Sequence, residues 1–251
     1  MSAPKKTITA AVLVIGDEIL SGRTKDKNIG YIADFCTNVG IDLSEVRVVP
    51  DVEKEIVDAV NALRARYTYV FTTGGIGPTH DDITADSIAK AFGVEISENP
   101  EVIEMMLTRF KREDLNEARR RMARIPHGAQ LVKNRVSTAP GFWIGNVIVM
   151  AGVPSIMQSM LDAVADKLET GAKMIIETID AGGLPEGQYA AGLGEIAAAH
   201  AELSIGSYPS FTDGKFKNQI VVRGKEAGAV ANGVAKVEAL LHSLRADRTP
   251  I

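Results

Sequence analysis

A single cysteine, Cys36, stands among 251 residues, so no intrachain disulfide is available and the fold does not depend on oxidation. Cys36 lies within a helical apolar pattern and reads as a buried small hydrophobe rather than a reactive thiol. Aromatic residues make up only 5% of the chain. Four histidines occur, His80, His127, His200 and His242, without zinc-ligand spacing, so no histidine cluster is assigned. Positive charge is not in excess. Twenty-eight Lys+Arg against 32 Asp+Glu leave −4, which gives no general pull toward nucleic acid or anionic lipid, and any bound anion must be held locally. No apolar run is long enough to span a bilayer. The run at residues 7–15 is short, follows Met1-Ser2-Ala3-Pro4-Lys5-Lys6 with no small-residue cleavage site, and breaks at Gly16-Asp17-Glu18. A cytoplasmic protein with no membrane partner is expected. Internal repeats and low-complexity tracts are absent as well.

What is present is the composition of a globular protein, 45% hydrophobic and 24% charged, at a length that suits one to two domains. Residues 8–15 form a β-branched, uninterrupted run, as expected of a strand covered on both faces. Ile29, Ile32, Ala33, Cys36 and Val39 recur at helical spacing, and Gly40 is placed to end that helix in a left-handed cap. A strand at 43–49, a helix at 52–65 and a strand at 69–72 follow. A further helix at 85–92 has Thr84 as its expected N-cap. Strand alternating with helix predicts right-handed βαβ units around a mostly parallel sheet. Short strands are expected at 129–132, 141–144 and 147–150, the last two joined by the hairpin dipeptide Gly145-Asn146, before a helix at 155–168. After Thr170-Gly171 the order becomes β-α-β-β-α, with a strand at 174–179, helices to about 201 and at 227–244, and two strands between. The boundaries read as 1–170 for an α/β domain and 171–251 for a small α+β module of net charge −1.

The most informative segment is Thr72-Thr73-Gly74-Gly75-Ile76-Gly77-Pro78-Thr79-His80-Asp81-Asp82-Ile83-Thr84, which leaves the third strand and enters a helix. Three glycines in four residues remove Cβ atoms where backbone amides can close on an anion, at the end of a parallel strand where open α/β sheets place ligands. Carboxylates repel phosphate unless a divalent cation sits between them, so Asp81 and Asp82 point to a metal-bridged phosphate ester or anhydride. The plainer alternative is a tight turn with an Asp cap. Asp17 and Glu18, at the end of the first strand, are candidate contributors to the same metal site, and Asp51, after the second strand, is a further candidate. Thr24, Asp26 and Asn28 serve equally as helix caps. The loop 134–142, with Ser137 and Thr138, and the turn Ala151-Gly152-Val153-Pro154 are candidate polar-ligand loops. Residues 109–124 carry seven basic and three acidic side chains. That stretch reads as a solvated helix face, against guidance of an anionic substrate or a subunit contact. Phe142 and Trp143 read as core.

Four separated motifs, Gly16-Asp17-Glu18-Ile19-Leu20-Ser21-Gly22, Thr73-Gly74-Gly75-Ile76-Gly77-Pro78-Thr79 with Asp81, Asp82 and Thr84, Thr138-Ala139-Pro140-Gly141, and Gly152-Val153-Pro154, occur in this order. Together they resemble the MoaB/Mog domain, and in particular the N-terminal part of the CinA family of competence/damage-inducible proteins, over about residues 6–170. The second module, with Ser207-Tyr208-Pro209 and a strand at 219–224, looks like the KH-like domain that follows in CinA. The resemblance implies a three-layer α/β/α fold that binds molybdopterin or an adenine-containing nucleotide at the glycine loop. It implies a metal-dependent pyrophosphatase of ADP-ribose- or FAD-like nucleotides, with a molybdopterin adenylyltransferase and a non-catalytic binding module as alternatives. Carried onto this chain, Thr73, Gly74, Gly75, Gly77, Thr79, Ser137, Thr138 and Gly152 would bind substrate. Asp82 and Asp51 would be catalytic, and Asp17, Glu18, Asp81 and Asp82 would hold Mg, Mn or Co. The sequence departs from the family pattern at Ser137, usually Gly, and Ala151, usually Pro. A homo-oligomer is expected, RNA binding is not, since a convincing Gly-x-x-Gly clamp is missing, and without an amidase domain nicotinamide mononucleotide deamidation is not expected.

Overall fold

The computed structural model describes residues 6–212 and 215–246; the N-terminal residues 1–5, on which the expectation of no leader partly rests, lie outside them. The chain divides into two compact units, residues 1–171 and 172–251.

The first unit begins with β1 (Thr9–Ile15), a short helix α1 (Asp17–Leu20), α2 (Asn28–Val39), β2 (Asp42–Val49), α3 (Glu53–Arg64) and β3 (Tyr69–Thr73). It continues through α4 (Thr84–Phe92), β4 (Ile96–Glu98), α5 (Pro100–Leu107), α6 (Glu117–Arg121) and β5 (Arg124–Pro126). It closes with β6 (Gln130–Val132), β7 (Gly141–Ile144), β8 (Val147–Met150) and α7 (Pro154–Val164). Six strands form one sheet in the order β2-β1-β3-β8-β7-β6. The first four are parallel, and the hairpin at Gly145-Asn146 turns β7 antiparallel to β8.

The continuous apolar run of β1 serves two cores because successive strand side chains point to opposite faces. Ala11, Leu13 and Ile15 pack with Ile56, Val60 and Leu63 of α3 and Ile88 of α4. Ala10, Val12 and Val14 pack with Ile32 and Cys36 of α2 and with Met157, Met160 and Leu161 of α7. Helices therefore cover both faces, the three-layer α/β/α arrangement that the resemblance implies. Gly40 takes the left-handed cap at φ 81°. Burial pushes the Cys36 thiol up to about 12, and Phe142 is buried in the core.

Two expectations are corrected. Thr84 does not cap α4; Ile83 occupies the cap position, Thr84 is the first helical residue, and its buried hydroxyl donates to the Gly74 carbonyl at 3.0 Å. Residues 109–124 are not one helix face but a 3-10 turn (Arg112–Asp114), α6 and the start of β5. They belong to an excursion in which β4 and β5 pair antiparallel and Asn99 caps α5 by accepting from the Glu101 and Val102 amides.

In the second unit, β9 (Ile175–Asp180), α8 (Glu186–Ala199), β10 (Ser204–Tyr208), the two-residue pair β11 (Phe211–Thr212) and β12 (Lys215–Phe216), β13 (Gln219–Gly224) and α9 (Ala227–Ala246) follow. The β-α-β-β-α order holds, with the small β11–β12 pair added. The main sheet is antiparallel, β10-β13-β9, and its Ile220 and Val222 pack with Tyr189 and Leu193 of α8 and Val237 and Leu241 of α9. Among the described residues no helix is long and apolar enough to cross a membrane.

Candidate functional site

The carboxyl ends of β1, β2 and β3 bring together the loops that begin at Gly16, Asp51 and Gly74. Sheet geometry alone makes them neighbours, since β2, β1 and β3 are adjacent parallel strands. The glycine loop is pressed against the sheet. A Cβ on Gly74 would lie 2.1 Å from the Ile15 carbonyl oxygen, at φ +103°, and one on Gly75 would lie 2.2 Å from the Thr84 hydroxyl. The loop's glycines thus answer first to contacts within the protein. Having closed on β1 and α4, the loop leaves the amides of Gly75, Ile76 and Gly77 without an acceptor among the described residues. Successive amides of this kind form a concavity suited to an anion.

Two clefts flank the loop. The larger, about 230 Å³, is lined by Thr73, Gly74 and Gly152 together with Glu18, Lys25, Lys27 and Asn28. Asn28 donates to the Gly152 carbonyl at 2.8 Å, whereas its Oδ1 and the Thr73 hydroxyl are buried without a hydrogen-bond partner among the described residues. An unpartnered buried polar atom costs about 1–3 kcal/mol, and here two of them belong to residues lining one cleft. Asp26 works as a cap, accepting from the Asn28 and Ile29 amides. The second cleft is narrow, about 10 Å³, and is lined by Gly75, Gly77, Asp82, Arg121 and Pro140 among others.

Asp51 is the electrostatic centre. Its Oδ2 accepts the Asp17 amide at 2.9 Å. Burial pushes its carboxyl above the ordinary range, the Asp17 amide opposes this, and the charges of Asp17, Glu18 and Asp81 add to the rise. Asp17, Glu18 and Asp81 are therefore each within electrostatic reach of Asp51, although the four come from three loops. Asp82 is engaged differently. Its Oδ2 accepts from the Thr79 amide at 2.8 Å and the Thr79 hydroxyl at 2.5 Å, bracing the loop. The Thr79 hydroxyl and then the Asp81 amide hold the Asp81 carboxyl below its usual range.

The four carboxylates expected to hold a metal, Asp17, Glu18, Asp81 and Asp82, are not gathered into a ready-made cage. Among the described residues no three His, Cys, Asp or Glu side chains are placed to hold a metal ion. Asp17, Glu18 and Asp81 are exposed, and Asp82 is turned to Thr79, so mutual repulsion is relieved by solvent and by hydrogen bonding. The donor set still fits a hard divalent cation. Mg²⁺ is commonly held by one or two carboxylates plus substrate phosphate oxygens, and Asp51 with its acidic neighbours offers that arrangement.

Ser137 and Thr138 line neither cleft. The Ser137 amide donates to Asn134 Oδ1 and its hydroxyl accepts the Ala139 amide, so Ser137 stabilises its own loop. Sequence reasoning missed the cleft roles of Lys25 and Lys27, and it passed over Arg121, although the basic stretch containing it was visible.

A glycine loop at the end of a parallel strand, with amides that have no acceptor among the described residues and carboxylates from neighbouring strand ends, is a site of α/β type whose geometry suits an anion. The chain belongs to the family described as "Probable molybdopterin binding domain", whose model matches residues 11–170, and its relatives are CinA-like. Residues 173–248 match the model for "FAD synthase, middle domain". A protein of Archaeoglobus fulgidus is 31% identical over 236 residues, covering 93% of this chain and 98% of that protein. A protein named "Probable FAD synthase" of Caenorhabditis elegans is 31% identical over 260 residues, covering 93% of this chain and 50% of its own length, so the chain spans about half of that relative. The crystal structure of the protein CinA from Thermoplasma acidophilum superposes with a TM-score of 0.61 at 33% identity, covering 64% of this chain and 98% of that one.

Proposed function

We propose that the first unit binds a nucleotide carrying a pyrophosphate, of the ADP-ribose or FAD type, and hydrolyses it with a divalent cation at the Asp51 cluster. The observation that carries this reading is the juxtaposition of Asp51, a carboxyl raised by burial and by three acidic neighbours, with the unengaged amides of the glycine loop. The amides of Gly75, Ile76 and Gly77 donate to phosphate oxygens and fix the diphosphate. Asp51 Oδ2 is held by the Asp17 amide, which leaves Oδ1 to orient the attacking water and accept its proton. What a bound cation supplies is neutralisation of charge on the diphosphate. Asp17, Glu18 and Asp81, around Asp51, would hold that cation, which leaves Asp51 Oδ1 to the water, and Asp82 would keep the loop in shape through Thr79. The larger cleft, with Asn28 and Thr73, receives the nucleoside or sugar portion.

The test is product analysis after incubation with ADP-ribose, with FAD, and with ATP plus molybdopterin, each with Mg²⁺, Mn²⁺ or Co²⁺. AMP released from ADP-ribose or FAD, and reduced at least about 100-fold in Asp51→Asn, is the expected result for loss of a general base. Adenylylated molybdopterin would instead make the protein a molybdopterin adenylyltransferase. Tight binding with no product would make it a binding module, and either result overturns hydrolysis.

A further inference from the structure

Four arginines occupy positions 119–124, and three of them are already satisfied. Arg119 donates to the Asp114 carbonyl and lies over the Phe110 ring. Arg120 makes two bonds to the Glu98 carboxylate, at 3.0 and 2.5 Å. Arg124 pairs with Asp86 through two nitrogens, at 3.0 and 2.6 Å. Arg121 differs. It ends α6, and its Nε donates to the Asp82 backbone carbonyl at 3.3 Å. Among the described residues its guanidinium has no carboxylate within ion-pair distance, and its charge acts from further off on the Asp81 carboxyl. That single bond crosses 39 positions of sequence and draws the side chain to the glycine loop, where it lines the narrow cleft with Gly75, Gly77 and Asp82.

We propose that Arg121 is a clamp for the second phosphate of the bound diphosphate, completing from the 93–126 excursion a cradle that the glycine loop leaves open on one side. The inference rests on the nucleotide reading given above. A volume of about 10 Å³ is room for roughly one water-sized oxygen and not for a ring. The cleft on this side of the loop therefore suits a phosphate oxygen, whereas the 230 Å³ cleft on the other side suits a larger group. With Nε committed to the Asp82 carbonyl, both Nη atoms remain as charged donors, and a guanidinium matches phosphate geometry better than a lysine does. The clamp also answers an electrostatic need, since the acidic loop that must admit a diphosphate otherwise presents Asp81 and Asp82 beside it.

The experiment is calorimetric titration of the full chain with ADP-ribose, as its non-hydrolysable methylene-bridged form, and with AMP, in Mg²⁺, comparing native protein with Arg121→Gln, Arg121→Lys and Arg120→Gln. Arg121→Gln is expected to weaken ADP-ribose binding about tenfold or more, the usual loss for a charged hydrogen bond, while changing AMP binding less than about threefold. Arg121→Lys should fall between, and Arg120→Gln, which removes the same charge from a residue paired with Glu98, should keep the native preference for diphosphate. Equal losses for both ligands in Arg121→Gln would make Arg121 a support of the loop through Asp82 and overturn the clamp. Unchanged binding of both would overturn it too. If native protein binds neither ligand, the nucleotide reading fails and the clamp with it, whereas native binding with an insensitive Arg121→Gln sinks the clamp alone.

Discussion

In the first unit helices cover both faces of the sheet, and β3 and β8 are buried along their whole length. The sheet of the second unit packs one face on α8 and α9, while Ile176 and Tyr208 remain 47% and 48% exposed. A doubly covered parallel sheet has only its strand ends open to solvent, so polar chemistry collects in the loops there. A one-sided antiparallel sheet spreads its exposed groups over a face. The glycines follow this division: Gly74 and Gly75 of the first unit's loop are held against a backbone carbonyl and a buried hydroxyl, whereas Gly187, Gly194 and Gly228 of the second unit lie in open helix surface.

The sharpest test of that contrast is a pair of alanine substitutions. Gly74→Ala, with its Cβ 2.1 Å from a backbone carbonyl at φ +103°, should destabilise by about 3 kcal/mol or more. Gly194→Ala, in α8 with nothing within 4 Å of its Cβ, should stabilise by about 0.5–1 kcal/mol. Urea unfolding of both variants reads the difference, and equal effects would break the comparison. A smaller loss is expected from Thr84→Val, which keeps side-chain volume but deprives the Gly74 carbonyl of a buried donor, at about 1–2 kcal/mol. Should Thr84→Val unfold like the native protein, the loop is not tied to α4 as described.

The smallest effect concerns charge. Because the Asp51 carboxyl is raised in the folded state, its ionised form opposes folding, and its contribution to stability is complete below the ordinary aspartate value and lost as pH rises through the raised one. Asp51→Asn should therefore melt slightly higher than native protein at pH 7, by a few degrees at most, with the difference closing below about pH 4. Added Mg²⁺ should raise the melting temperature of native protein and do so less for Asp51→Asn. A lower melting temperature for Asp51→Asn at pH 7 would mean that the Asp17 amide outweighs burial and repulsion.

Most of the main sheet was legible because its strands are unbroken apolar runs and its helices have clear apolar faces, as in residues 8–15 and the α3 positions Ile56, Val60 and Leu63. The excursion between α4 and β6 was not. Its strands β4 and β5 have three residues each, too few to show a period. The glycine loop stood out by composition, and Asp51 was marked by its place after a strand. The unpartnered Asn28 Oδ1 left no trace in the sequence, because Asn28 before a helical pattern looks like a cap.

The amino-acid sequence by itself determined the alternating β/α order, the change of pattern after Gly171 and the position of the glycine loop, since each depends on local periodicity and on residues without a Cβ. Tertiary structure decided which carboxylates share a field, that Asp82 braces Thr79, that Ser137 serves its own loop, and that Arg121 reaches back 39 residues to Asp82. Those relations depend on strand order and chain return, which bring distant residues together and leave no local pattern behind.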